Sequence, residues 1–136
     1  MNIGIVTGEF NSGITSVMER HAAEEAEKLG VNIVKAVKVP GSFDMPIAVK
    51  RLLMRNDVDA VITLGAIIKG DTKHDEVIGQ AVAGALASLS AEFGKPVTLG
   101  IIGPGATWEQ AEKRAEEYAE RALTAAIKLV EVIENI

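Results

Sequence analysis

The run AVITLGAII, residues 60–68, limits the possible folds more than any other stretch of the chain. It carries no charge and is rich in β-branched residues, and at nine residues it falls far short of the roughly 20 that a membrane helix needs. A short continuous apolar run is the signature of a strand covered on both faces, and such strands belong to parallel sheets flanked by helices.

The rest of the chain repeats a strand-then-helix rhythm around that run. NIGIVT (2–7) reads as a buried strand, and SVMERHAAEEAEKLG (16–30) as a helix closed by Gly30. VNIVKAVKV (31–39) is a partly alternating strand, followed by a helix over 46–55 with Pro46 in its first turn. A third helix is expected from about Lys73 to Phe93, ended by Gly94, and a fourth strand over 96–102. The last helix covers most of 108–135. Its apolar stripe runs through Trp108, Ala111, Ala115, Tyr118, Ala122, Ala126, Leu129 and Ile133, with Thr107 and Gln110 forming a capping box at its start. Glu109 with Lys113 and Glu117 with Arg121 are spaced as supporting pairs on its wet face.

Four such repeats imply right-handed crossovers and a three-layer α/β/α sandwich around a four-stranded parallel sheet. The 136 residues suit one domain, 1–136, with no internal repeat or linker. Without cysteine the chain has neither disulfides nor thiolate metal sites, which suits a reducing compartment. A formal net charge of −5 argues against a general nucleic-acid role. NIGIVTGEF shows no basic leader or cleavage pattern, so the expectation is a soluble, cytoplasmic chain with no membrane partner. An apolar content of 48% in so small a domain points to apolar surface buried between subunits.

In such a sheet, ligands bind beyond the carboxyl ends of the strands. Four loops are expected there: GEFNSG (8–13), PGSFDM (40–45), KGDTKH (69–74) and GPGA (103–106). Phe10 and Phe43 stand among polar residues in two of them. The third leads into a helix start, where free N–H groups and the helix dipole favour an anion such as phosphate. Thr72 can donate a hydroxyl, Lys69 or Lys73 can supply charge, and His74 would stand beside the guest, able to move a proton at neutral pH. The same residues also read as a plain helix start, capped by Thr72 and Asp75, with Asp71, Asp75 and Glu76 answering the dipole; the turn alone leaves both readings open. His74, Asp75 and Glu76 are adjacent, which is poor spacing for metal ligands, so no metal is expected. GEFNSG matches neither a dinucleotide turn nor a P-loop. His21 lies mid-helix, and no role is expected of it.

Four stretches in order, GEFN…IT (8–15), VPGSFDMP (39–46), LGAIIKGDTKHDEV (64–77) and EQAEKRA (109–115), resemble the lumazine synthase family over nearly the whole chain. The resemblance implies a flavodoxin-like sandwich in pentamers, in some members twelve pentamers forming a 60-subunit shell. It implies a cofactor-free condensation of 5-amino-6-ribitylaminopyrimidinedione with 3,4-dihydroxy-2-butanone 4-phosphate. By motif, Phe10 would stack on the pyrimidine, while Ser42, Phe43 and Asp44 would line the ring and ribityl pocket. Asp71 and Thr72 would offer donors near the phosphate, His74 would transfer protons, and Arg114 would reach in from a neighbouring subunit to bind the phosphate. Leu99 stands where some members carry an aromatic residue covering the neighbour's pocket, and GPGA departs from a threonine-rich form. Asp71 replaces a frequent small residue, so phosphate would be held mainly by Arg114 and Lys73.

Three rival readings share the fold: the related pentameric riboflavin synthase, a flavodoxin-like electron carrier, and a non-catalytic shell or flavin-binding protein. The turn 69–74 and EQAEKRA fit lumazine synthase better than the first, and GEFNSG offers an FMN phosphate mainly Ser12.

Overall fold

A computed structural model describes all residues, 1–136. Strands β1 (Asn2–Gly8), β2 (Asn32–Val39), β3 (Ala60–Ile68) and β4 (Val97–Ala106) alternate with helices α1 (Ser12–Lys28), α2 (Met45–Leu53), α3 (His74–Phe93) and α4 (Trp108–Glu134). Every strand pairing is parallel and the order is β2-β1-β3-β4, so the three-layer α/β/α sandwich expected from the sequence is the fold observed. None of the helices is long and apolar enough to cross a membrane.

Strand alternation splits the core in two. Ile3, Ile5, Ile62 and Leu64 face α1 and α4, while Val6 and Val61 face α2 and α3. β3 is buried along its length up to Ile67, as its unbroken apolar sequence requires. The chain leaves β1 to one side for β2 and returns to the other for β3. The switch point therefore lies between the carboxyl ends of β1 and β3.

Several expected boundaries move, each for a local reason. α1 begins at Ser12, four residues early, because Asn11 takes the left-handed conformation (φ 63°) and its Nδ2 donates to the Ala66 carbonyl at 2.8 Å. Trp108 lies over Gly13 in that first turn, so it is a packing residue, though 43% exposed. β4 runs on through residues 103–106, so GPGA is not a free loop: it continues the strand beside the end of β3 past a register shift. Gly103 makes this possible, since its φ is +93° and a side chain there would run into the Ile67 carbonyl.

The capping box of Thr107 and Gln110 is present, with bonds of 3.0 and 3.2 Å, and Glu117 approaches Arg121 at 3.8 Å. The stripe of α4 is shifted from the expected one. Its buried line is Ala111, Ala115, Ala119, Ala122, Leu123, Ala126 and Val130, while Leu129 and Ile133 turn outward. Alanines let α4 approach α1 and the sheet closely, so the small residues, not the largest ones, face inward. His21 meets Glu120 at 3.3 Å and so joins α1 to α4 at the surface.

Lys95, in the turn before β4, donates from Nζ to the carbonyls of Leu53 and Arg55, both at 2.9 Å, and so closes the carboxyl end of α2. Cations at that end of a helix also meet the negative end of its dipole. Lys95→Met keeps the stem but leaves these carbonyls to water. We expect a loss of about 1 kcal/mol, read as a lower midpoint in chemical denaturation, and an unchanged midpoint would show the contact to be idle.

Candidate active site

The carboxyl ends of β1, β2 and β3 open onto a cleft of about 420 Å³ at the switch point, within the range of roughly 300–1,000 Å³ typical of ligand pockets. Backbone bonds build its rim. Glu9 N donates to Val39 O at 2.8 Å and Phe10 N to Pro40 O at 2.9 Å, tying the first loop to the second. The Asn11 side chain ties the first loop to β3.

The second loop is folded by its own carboxylate. Asp44 Oδ2 accepts from Gly41 N at 3.0 Å, which winds Ser42–Asp44 into a short 3-10 turn ahead of α2. Ser42 is thereby buried against Gly65 of β3. Phe10 rests on Gly41, and it and Phe43 are 67% and 65% exposed. Two aromatic side chains at a cleft mouth are costly to leave wet and offer faces on which a flat ring can stack.

The third loop and the first turn of α3 supply Gly70, Thr72, His74 and Asp75 to the cleft wall, which Ile67, Ile68 and Ile78 also line. Thr72 Oγ1 accepts from His74 N at 3.2 Å, but Lys73, not Thr72, is the N-cap of α3 and no side chain caps the helix; the Thr72 hydroxyl hydrogen remains available to a guest. Asp75 makes no cap. Its Oδ2 accepts from Gly105 N at 3.1 Å, which turns that negative charge toward β4.

The structure thus brings Phe10, Ser42, Phe43, Asp44, Thr72 and His74 into one cleft. Asp71 and Lys73 lie on the same turn, exposed to solvent and outside the cleft wall. Arg114 is in a separate hollow with Gln110, Tyr118 and residues 102–106 of the same chain. Asn11 and Gly41, both in loops expected at this end, also line the cleft, as does Ile78 of α3, which no motif singled out. Asparagine tolerates the left-handed conformation that Asn11 takes.

These features define a doubly wound α/β protein of the flavodoxin-like class, with an aromatic-rimmed ligand cleft at its switch point and a histidine at the start of the adjoining helix. The sequence model described as 6,7-dimethyl-8-ribityllumazine synthase matches residues 1–134. Proteins named 6,7-dimethyl-8-ribityllumazine synthase are similar throughout. One from Sulfolobus acidocaldarius is 54% identical over 136 residues, covering 100% of this chain and 86% of the relative. One from Saccharolobus solfataricus is 56% identical over 131 residues, covering 96% and 85%. One from Methanococcus maripaludis is 50% identical over 136 residues, covering 100% and 98%. The chain belongs to the 6,7-dimethyl-8-ribityllumazine synthase family.

Proposed function

We propose that this chain condenses 5-amino-6-ribitylaminopyrimidine-2,4-dione with 3,4-dihydroxy-2-butanone 4-phosphate to give 6,7-dimethyl-8-ribityllumazine, releasing phosphate and water, in riboflavin biosynthesis. The observation that carries this reading is the family match over residues 1–134 together with one cleft that gathers Phe10, Phe43, Asp44, Thr72 and His74. The reaction is ionic throughout. The amine of the pyrimidine forms a Schiff base with the ketone and water leaves; phosphate is then eliminated to give an enol that tautomerises to a new ketone, and the ribityl-bearing amine adds to that ketone and expels a second water as the ring closes. No step transfers an electron to a cofactor, so residues need only hold two reactants together, stabilise the leaving phosphate and move protons.

Phe10 stacks on the pyrimidine, and Ser42 and Phe43 line the pocket of the ring and ribityl chain. Asp44 keeps one oxygen on Gly41 N and offers the other to ribityl hydroxyls. Thr72 and the backbone at Asp71 donate to the phosphate, with Lys73 adding charge from the same turn. His74, facing the cleft, is the proton carrier. Arg114 lies in another hollow of its own chain, and by the family motif it serves the cleft of a neighbouring subunit. That arrangement requires a homo-oligomer, a pentamer or a 60-subunit assembly of pentamers, built from the single domain 1–136 and working in the cytoplasm. The surface supports such contacts. α3 buries only Val82 and Leu86 of its 20 residues, and Val77 and Leu99 are 64% and 49% exposed.

Purified protein mixed with both substrates should develop lumazine fluorescence and release phosphate stoichiometrically. Neither substrate alone should react, and lumazine alone should not become riboflavin. Absence of product with both substrates present overturns the proposal.

A further inference from the structure

We propose that Asp75 is a positioning residue that locks the first turn of α3, which carries His74, to residues 103–106, which form the seat of Arg114. The bond from Gly105 N to Asp75 Oδ2, 3.1 Å long, spans 30 residues of sequence and crosses between two hollows. On one side Asp75 lines the cleft beside His74; on the other Gly105 lines the hollow that holds Arg114. This inference rests on the function proposed above, in which one phosphate is gripped by the α3 turn of one subunit and the Arg114 of the next. Each chain then carries both half-sites back to back, with residues 103–106 as the wall between them.

The rest of that wall is held by backbone and by close packing. Lys69 N donates to Ala106 O at 2.7 Å, and Gly103 sits over the Ile67 carbonyl. Pro104 packs on α3 at Gly79, where an added Cβ would come within 2.6 Å of its Cδ. Asp75 contributes the one side-chain hydrogen bond to residues 103–106. No cation of the chain pairs with its carboxylate, and Gly105 is exposed with open space around it. A carboxylate accepting a backbone N–H is among the stronger tethers available at a surface. The ring-binding loops have anchors of their own, through Val39, Pro40 and Ala66. Releasing Asp75 should therefore move the phosphate grip and leave the pyrimidine pocket in place.

The test compares D75A with D75N, whose carboxamide oxygen can still accept the Gly105 N–H. In D75A the KM for the butanone phosphate should rise about fivefold and kcat fall about fivefold, while the KM for the aminopyrimidine stays within about twofold. D75N should return all three to within about twofold of wild type. Hydrogen exchange at the Gly105 amide should quicken about tenfold in D75A and stay slow in D75N. G79A, whose methyl would press Pro104 away from α3, should raise the same KM, and the G79A/D75A pair should be less than additive. A D75N variant as impaired as D75A, or a D75A variant with wild-type KM and Gly105 protection, overturns the proposal. If D75A does not assemble, G79A decides, and a wild-type KM for the phosphate substrate there also overturns it. If wild-type protein makes no lumazine, the proposed reaction fails, while Gly105 exchange still reports on the tether.

Discussion

Arg114→Ala should raise the KM for 3,4-dihydroxy-2-butanone 4-phosphate by on the order of 10²-fold, with the KM for the aminopyrimidine nearly unchanged. The size follows from the contact proposed. A guanidinium can present two parallel N–H donors to a phosphate, and each charge-assisted bond is worth roughly 1.5–3 kcal/mol when water is excluded. Part of that is lost to competing water at an open site, leaving about 2–3 kcal/mol, or roughly one and a half to two powers of ten. The chain itself leaves Arg114 available. It lies exposed on α4 between Gln110 and Tyr118, each one turn away, and no carboxylate of its own chain pairs with it. Arg114→Lys should recover only part of the loss, because a point charge does not reproduce the planar fork. Steady-state kinetics with each substrate varied in turn gives the answer. An unchanged phosphate-substrate KM in Arg114→Ala would take the arginine out of the site and with it the need for a neighbouring subunit.

His74→Ala should lower kcat by on the order of 10²-fold and leave both KM values within a few-fold, an enzyme impaired but not dead. A positioned general acid or base contributes about 10²–10⁴-fold, and the lower end applies here because water can reach the cleft and carry protons in its place. Holding the two substrates together supplies much of the remaining acceleration and survives the change. His74 is well placed for this role. It opens α3, its N–H is held by Thr72, and its side chain faces the cleft from an exposed position into which free imidazole can diffuse. Added imidazole should therefore restore part of the rate in His74→Ala. A wild-type kcat in the variant would remove His74 from the chemistry.

Much of this architecture is written in one-dimensional patterns. An unbroken apolar run can be buried on both faces only inside a sheet, and β3 is so buried. Pro46, Gly94 and the Thr107–Gln110 pair mark helix ends through local backbone chemistry, which needs no distant partner. The location of the cleft was legible for the same reason, since the carboxyl ends of parallel strands converge wherever strand and helix alternate.

What was misread involved a partner far away in sequence. α4 offers overlapping apolar stripes, one through Leu129 and Ile133 and another through Ala119, Leu123 and Val130; only the closeness of α1 and the sheet selects the second. The GPGA stretch looks like a loop until the end of β3 lies beside it. Asp75 reads equally as a cap or as a charge near an anion, and only Gly105, 30 residues on, shows where its carboxylate is spent. The sequence by itself determined the sheet, the order of its layers and the end at which the cleft opens, because periodicity and turn chemistry act over a few residues. The tertiary structure alone decided that residues 103–106 run beside the end of β3 and that the Asp75 carboxylate is held on Gly105 N. Those are distances between elements, fixed by how the helices pack on the sheet, and no spacing along the chain encodes them.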